Sequence, residues 1–213
     1  LSFILFATCA AAVAAGAGLV AARRARREPE DDEQTAAPRP PPPVVEPPAI
    51  AGLPLAVGDV VSVEVDDPAR AGGIGRAHSE RWLEGALVLK EGAEVVGAVF
   101  VAPEGIRHEA VVAFAAPRRD IGWLTPVALE VTGEPPTSLE LGGIVMQRKR
   151  RLFVEIERLG RGAPVVRGGA VFAEYEATGR AMGIVLVLGA SAVHAWHGAR
   201  YEPAEYDHWG RGS

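Results

Sequence analysis

Asp59-Val60-Val61-Ser62-Val63-Glu64-Val65 sets Val61, Val63 and Val65 on one side of an extended chain and Ser62 and Glu64 on the other. That period of two is the mark of a strand with one buried face. Leu152-Phe153-Val154-Glu155-Ile156 repeats it, with Leu152, Val154 and Ile156 opposed to Phe153 and Glu155. Working outward, valine-rich stretches bounded by Gly or Pro predict further strands at residues 83–89, 95–101, 109–115, 123–131, 165–175, 183–188 and 192–196. The run 183–188 fits a helix by periodicity alone, but its length and β-branching favour a buried strand. The predicted fold class is all-β, a small barrel or sandwich-like body over residues 51–213.

A faint internal repeat runs through this body. Arg81-Trp82-Leu83 leads to Gly92-Ala93-Glu94-Val95-Val96 and Gly97-Ala98-Val99-Phe100. Arg151-Leu152-Phe153 leads in the same way to Gly162-Ala163-Pro164-Val165-Val166 and Gly169-Ala170-Val171-Phe172. Two related β-modules, 53–133 and 137–210, account for the strings, as does coincidence in a chain rich in Gly, Ala and Val.

Ahead of the body, Leu1 to Ala22 carries no charge, and Arg23, Arg24, Arg26 and Arg27 come directly after it. At about 1.5 Å per residue, a helix of this length crosses the roughly 30 Å hydrocarbon core once. The arginines favour a cytoplasmic location for the chain on their C-terminal side. The stretch is therefore expected to be a transmembrane anchor at the cell membrane with a cytoplasmic body. A second reading stays open: with basic residues ahead of Leu1, Leu1 to Cys9 becomes the apolar core of a signal peptide and Ala12-Val13-Ala14 its cleavage site, giving a secreted or periplasmic domain. Residues 23–50 are expected to be a disordered linker. Its acidic patch leads into Pro38, Pro40 to Pro43, Pro47 and Pro48, which favour extended polyproline II. Pro40 to Pro43 also have the makings of a ligand for an aromatic-lined groove.

Cys9 is the one cysteine and lies in the apolar stretch, so the body has no disulfide, thiolate nucleophile or cysteine-based zinc site. The net charge of −5 argues against nucleic acid as a partner. No cofactor is expected.

Three strings resemble a known family: Leu55-Ala56-Val57-Gly58-Asp59-Val60-Val61, Arg81-Trp82-Leu83-Glu84 and Ala173-Glu174-Tyr175-Glu176-Ala177-Thr178-Gly179. They are similar to motifs of the bacterial domain-of-unknown-function family number 4178. The resemblance implies a compact β-rich module and carries no catalytic residue. Gly72-Gly73-Ile74-Gly75 and residues 106–119 fit its pattern poorly.

Histidine supplies the remaining candidate chemistry. His194-Ala195-Trp196-His197, with His208 farther on, is the set a hydrolase or a metal-binding enzyme would use, although positions three apart on a strand face opposite ways. Gly189-Ala190-Ser191-Ala192-Val193 lacks the last glycine of a nucleophile elbow, and Gly73-Ile74-Gly75 lacks the third glycine of a dinucleotide loop. Arg148-Lys149-Arg150-Arg151 is a dense basic run suited to anionic lipid or to a solvated hairpin end. Trp196, Tyr201, Tyr206 and Trp209, set among acidic residues, are read either as a partner surface for another protein or as the core of a final strand. The expected function is thus a non-catalytic binding module.

Overall fold

The computed structural model describes residues 50–65, 77–103, 105–131, 133–166, 168–189 and 192–210. The expected anchor and its arginines, the expected linker up to residue 49, the Gly72-Gly73-Ile74-Gly75 string and Ser191 lie outside them; Ile50, the last residue of the expected linker, is buried in the core instead. Among the described residues the chain is all-β. The strands are β1 (Val60–Val65), β2 (Ala77–Trp82), β3 (Gly85–Glu91), β4 (Glu94–Val101), β5 (Ala110–Phe114), β6 (Ile121–Val127), β7 (Ser138–Leu141), β8 (Ile144–Gly160), β9 (Gly169–Glu176), β10 (Ala181–Leu188), β11 (Ala192–Tyr201) and β12 (Tyr206–Trp209).

Eight of them close into an antiparallel barrel in the order β3-β4-β5-β6-β11-β10-β9-β8, with β8 returning to β3. Each half is a four-stranded meander, β3 to β6 and β8 to β11, and the halves meet along β6–β11 and β8–β3. A closed barrel has no free sheet edge, and at eight strands its lumen is about wide enough to be filled by side chains. Here Leu87, Val99, Val112, Leu124, Ile184 and Trp196 fill it.

The two Gly-Ala-Val-Phe strings fall on β4 and β9, each the second strand of its meander, but in opposite phase. Val99 points into the lumen and Phe100 outward, whereas Phe172 points inward with Ala170. A one-residue slip exchanges the faces of a strand, so the strings do not occupy equivalent positions.

The outer surface is covered unevenly. A second sheet, ordered β12-β1-β2, lays Val61, Val63 and Tyr206 over the outward residues Ala98, Phe100, Val111 and Ile121. On the other side, Leu141 and Met146 of the β7–β8 hairpin cover Ala173, Tyr175 and Val185. The Tyr175 hydroxyl donates to the Pro136 carbonyl at 2.7 Å, which pins the preceding segment.

The sequence pattern predicts β8 only at its centre. Its 17 residues pair in turn with β7, β9 and β3, and the register shifts by a bulge between Arg148 and Arg150. The basic run therefore lies inside a strand, not at a hairpin end. Strands β2, β7 and β12 escape the pattern because they are short or lack apolar alternation.

β2 shows why such a pattern is missing: its inward residues are polar, Ser79 and Arg81, the latter only 7% exposed. Arg81 Nη1 donates to the carbonyls of Ala110 (2.7 Å) and Leu124 (3.1 Å), which face each other across β5 and β6. Its guanidinium lies 3.8 Å from the Trp123 ring centroid and pairs with Glu109 at 2.9 Å. Burial pulls it down to about 10, against the pull of Glu109, so it stays charged at neutral pH. One side chain thus rivets the small sheet to the barrel. Arg81→Met, which keeps the stem and removes the donors, is expected to lower unfolding free energy by about 2–4 kcal/mol in urea titrations.

Candidate functional site

The most unusual chemistry lies at one end of the barrel. Along β9, Ala170, Phe172 and Glu174 alternate onto the lumen side, so strand geometry carries a carboxylate onto an apolar face. Glu174 is fully buried. Burial of a charge on that scale needs paired and hydrogen-bonded partners. Arg118, from the β5–β6 connection, supplies a fork, with Nη1 to Oε2 at 2.8 Å and Nη2 to Oε1 at 2.9 Å. Arg118 also donates Nε to Asp120 Oδ1 at 3.0 Å and Nη2 to Oδ2 at 2.8 Å. Arg200 on β11 adds Nη2 to Glu174 Oε1 at 3.1 Å and pairs with Asp120 at 3.2 Å. Arg150, opposite Glu174 on β8, approaches it at 3.7 Å.

Beneath these charges Phe114 and Phe172 meet edge to face, with centroids 6.4 Å apart. The Arg118 guanidinium lies 3.8 Å from the Phe114 centroid. The end of the barrel is therefore layered, from aliphatic core to aromatic pair, guanidinium and carboxylate. Burial alone would depress Arg118, but its hydrogen bonds to Asp120 and Glu174 raise it above the ordinary guanidinium value. Burial and the charge of Arg118 push Arg150 down, against Glu174. For Asp120, burial acts upward, and the Arg118 hydrogen bonds with the charges of Arg118 and Arg200 outweigh it, leaving the carboxyl below its usual value.

A cleft of about 490 Å³ opens over this end, lined by Pro117, Arg118, Asp120, Lys149 and Arg200 among others. Arg118, Lys149 and Arg200 are already held by carboxylates, Lys149 by Glu176 at 2.8 Å, while Arg119, which also lines the cleft, is exposed. Three of the four cations lining the cleft are thus paired within the cluster itself.

The basic run is divided in the same way. Arg148 and Arg151 both reach Glu134, at 3.4 and 2.8 Å, and Arg148 also donates to the Pro135 carbonyl. Lys149 takes Glu176, and Arg150 turns to the lumen end. Its four charges do not form one patch.

The histidines are not brought together. His194 lies on the face of β11 that carries Trp196, with ring centroids 6.0 Å apart, and burial and Arg107 pull its pKa down. His197 points the other way, against Gly142 in the β7–β8 turn. Gly142 has φ of 58°, and a Cβ there would stand 2.3 Å from the His197 ring, so both backbone and space demand glycine. His208 sits on β12 beside Tyr206. Among the described residues no group of three His, Cys, Asp or Glu is placed to hold a metal ion.

The aromatic partner surface is corrected at three of its four residues. Trp196 is fully buried in the lumen, and Tyr201 and Tyr206 pack between the small sheet and the barrel, because alternation turns each toward a core. Trp209 alone is open, at 45% exposure, and its neighbour is a residue that composition does not single out. The register places Trp209, Val60 and Trp82 in one row across β12, β1 and β2, with Trp82 52% exposed. The next row on that outer face is Asp207, Ser62 and Glu80. Trp82 and Trp209 each close a strand whose inward residues are Arg81 or Tyr206 and His208, so no apolar period announces them.

No family model, curated protein or solved structure matches the chain.

Glu174→Gln leaves three guanidinium groups around a neutral amide and is expected to destabilise the fold by about 3–5 kcal/mol in denaturant titrations. The depressed Asp120 carboxyl contributes stability that is fully present above the ordinary carboxylate range and is lost as pH falls through its lowered value. Thermal melts across that acid range should therefore show a shallower decline for Asp120→Asn than for the parent chain.

Proposed function

We propose that this chain is a single-pass membrane protein whose β body is a non-catalytic binding module. Residues 1–22 form the span, Arg23, Arg24, Arg26 and Arg27 its cytoplasmic flank, and residues 28–49 a spacer to a cytoplasmic body. The observation that carries the binding reading is the half-exposed Trp82 and Trp209 on either side of Val60, on the face of the small sheet turned away from the barrel. Tryptophan is enriched at energetic centres of interfaces, where its large ring loses water at low entropic cost.

The rest of the body supports binding over turnover. The lumen is filled, the buried charges at its end pair with one another, and the histidines point apart. Contact with anionic lipid falls in this reading to the juxtamembrane arginines, since Arg148 to Arg151 are each engaged by a carboxylate. Membership of the family numbered 4178 belongs to the same proposal. Of the three strings behind it, one leads into β1, one ends β2 and one ends β9.

Two measurements test this reading. Alkaline washing of membranes is expected to leave the full chain in the pellet and to release a variant lacking residues 1–22. The double variant Trp82→Ala/Trp209→Ala is expected to melt within about 2 °C of the parent, as exposed substitutions do. It should also lose the proximity cross-links formed from a photoreactive residue at position 80. Release of the full chain, or cross-links indifferent to both tryptophans, would overturn the reading.

A further inference from the structure

We propose that the Trp82–Val60–Trp209 face docks a proline-rich peptide in the polyproline II conformation, and that its source is the 38–48 tract of a second copy of this chain. The inference rests on the reading of this face as a partner surface and names what occupies it.

The spacing carries the argument. Trp209 and Trp82 lie two strands apart in one register row. At about 4.8 Å per strand their backbones stand about 9.6 Å apart. Polyproline II rises about 3.1 Å per residue and turns every three, so side chains i and i+3 recur on one side after about 9.3 Å. A peptide crossing the strands thus sets two prolines three apart onto the two indoles, with Val60 beneath the intervening turn.

The chemistry agrees with the geometry. The row lies on the face of the sheet, where side chains and not backbone groups meet a ligand. A ligand there must bind through rings and side chains, and polyproline II is extended beforehand and loses little entropy. The tract Pro38-Arg39-Pro40-Pro41-Pro42-Pro43 supplies prolines three apart at Pro40 and Pro43, and also at Pro38 and Pro41. It places Arg39 next to the first pair, and the row beside the tryptophans carries Glu80 and Asp207, both exposed. That acidic row disfavours an anionic bilayer on this face and favours the Arg39 end of the tract, which lies seven residues from its one carboxylate, Glu46. Copies anchored in one membrane share a plane, which raises their effective concentration.

The test uses the full chain in detergent micelles. A recipient carries Pro40→Ser, Pro41→Ser, Pro42→Ser and Pro43→Ser, so that it has tryptophans and no tract. Titration with a synthetic peptide of residues 35–48 is expected to shift the indole N–H resonances of Trp82 and Trp209 saturably and to leave those of Trp123 and Trp196 in place. Trp82→Ala should abolish the shift, and Arg39→Glu in the peptide should weaken binding about tenfold, the worth of one charge-assisted contact. Absence of any shift at millimolar peptide overturns the occupant. If the double tryptophan variant still loses its cross-links, the partner surface itself stands, so the two failures are separable.

The source is tested by complementation. A donor with Trp82→Ala and Trp209→Ala but an intact tract should co-purify with the recipient, and neither should co-purify with its own kind. Peptide binding without donor–recipient co-purification overturns the second copy as source. An equal shift on adding anionic vesicles without peptide overturns the peptide in favour of a lipid surface.

Discussion

A buried carboxylate held by a guanidinium fork is the contact on which the body depends. Without Glu174 the lumen end would hold Arg118, Arg150 and Arg200 around an empty centre, and without Arg118 both Glu174 and Asp120 would lose most of their hydrogen bonds. Such clusters are costly to form, because desolvation consumes most of the Coulombic gain. What they provide is a definite geometry. Residues from the β5–β6 connection, β6's approach, β8, β9 and β11 must arrive together for any of them to be satisfied. The cluster thus ties both meanders to one closed register.

The same logic runs through the second polar device. Arg81 takes the facing carbonyls of Ala110 and Leu124, so a side chain of the small sheet answers backbone groups of the barrel. Cations at two places, one at the lumen end and one under the small sheet, settle what apolar packing leaves unspecified. Hydrophobic contact holds the layers together, and these hydrogen bonds set how they register.

How much of this is legible in the sequence depends on the physics of each element. Strands with one buried face, such as 60–65, and strands buried on both sides, such as 94–101 and 110–114, announce themselves by alternation or by apolar runs. The all-β class emerges directly from them. β2, with Ser79 and Arg81 inward, carries no such period, and β8 hides its length because residues 148–151 are bulged and divided among Glu134, Glu176 and Glu174 instead of alternating between core and water. Glu174 does leave a trace: it falls in phase with Ala170 and Phe172, a carboxylate on a core face. The Trp82–Trp209 row leaves none, since a row joins residues from opposite ends of the body and only the register brings them side by side.

That register has a consequence for synthesis on the ribosome. β1 is flanked by β2 on one side and by β12 on the other, and residue 60 faces residue 209. Chain emerges in order, so the inner surface of Val61 and Val63 is made early, while the barrel wall beneath it and the strand beside it are completed late. Non-local pairing of this kind is slow to nucleate and leaves apolar surface uncovered meanwhile. The nascent body must be kept from its neighbours until its last strand is out, and its first strand is the segment for which that shielding matters most.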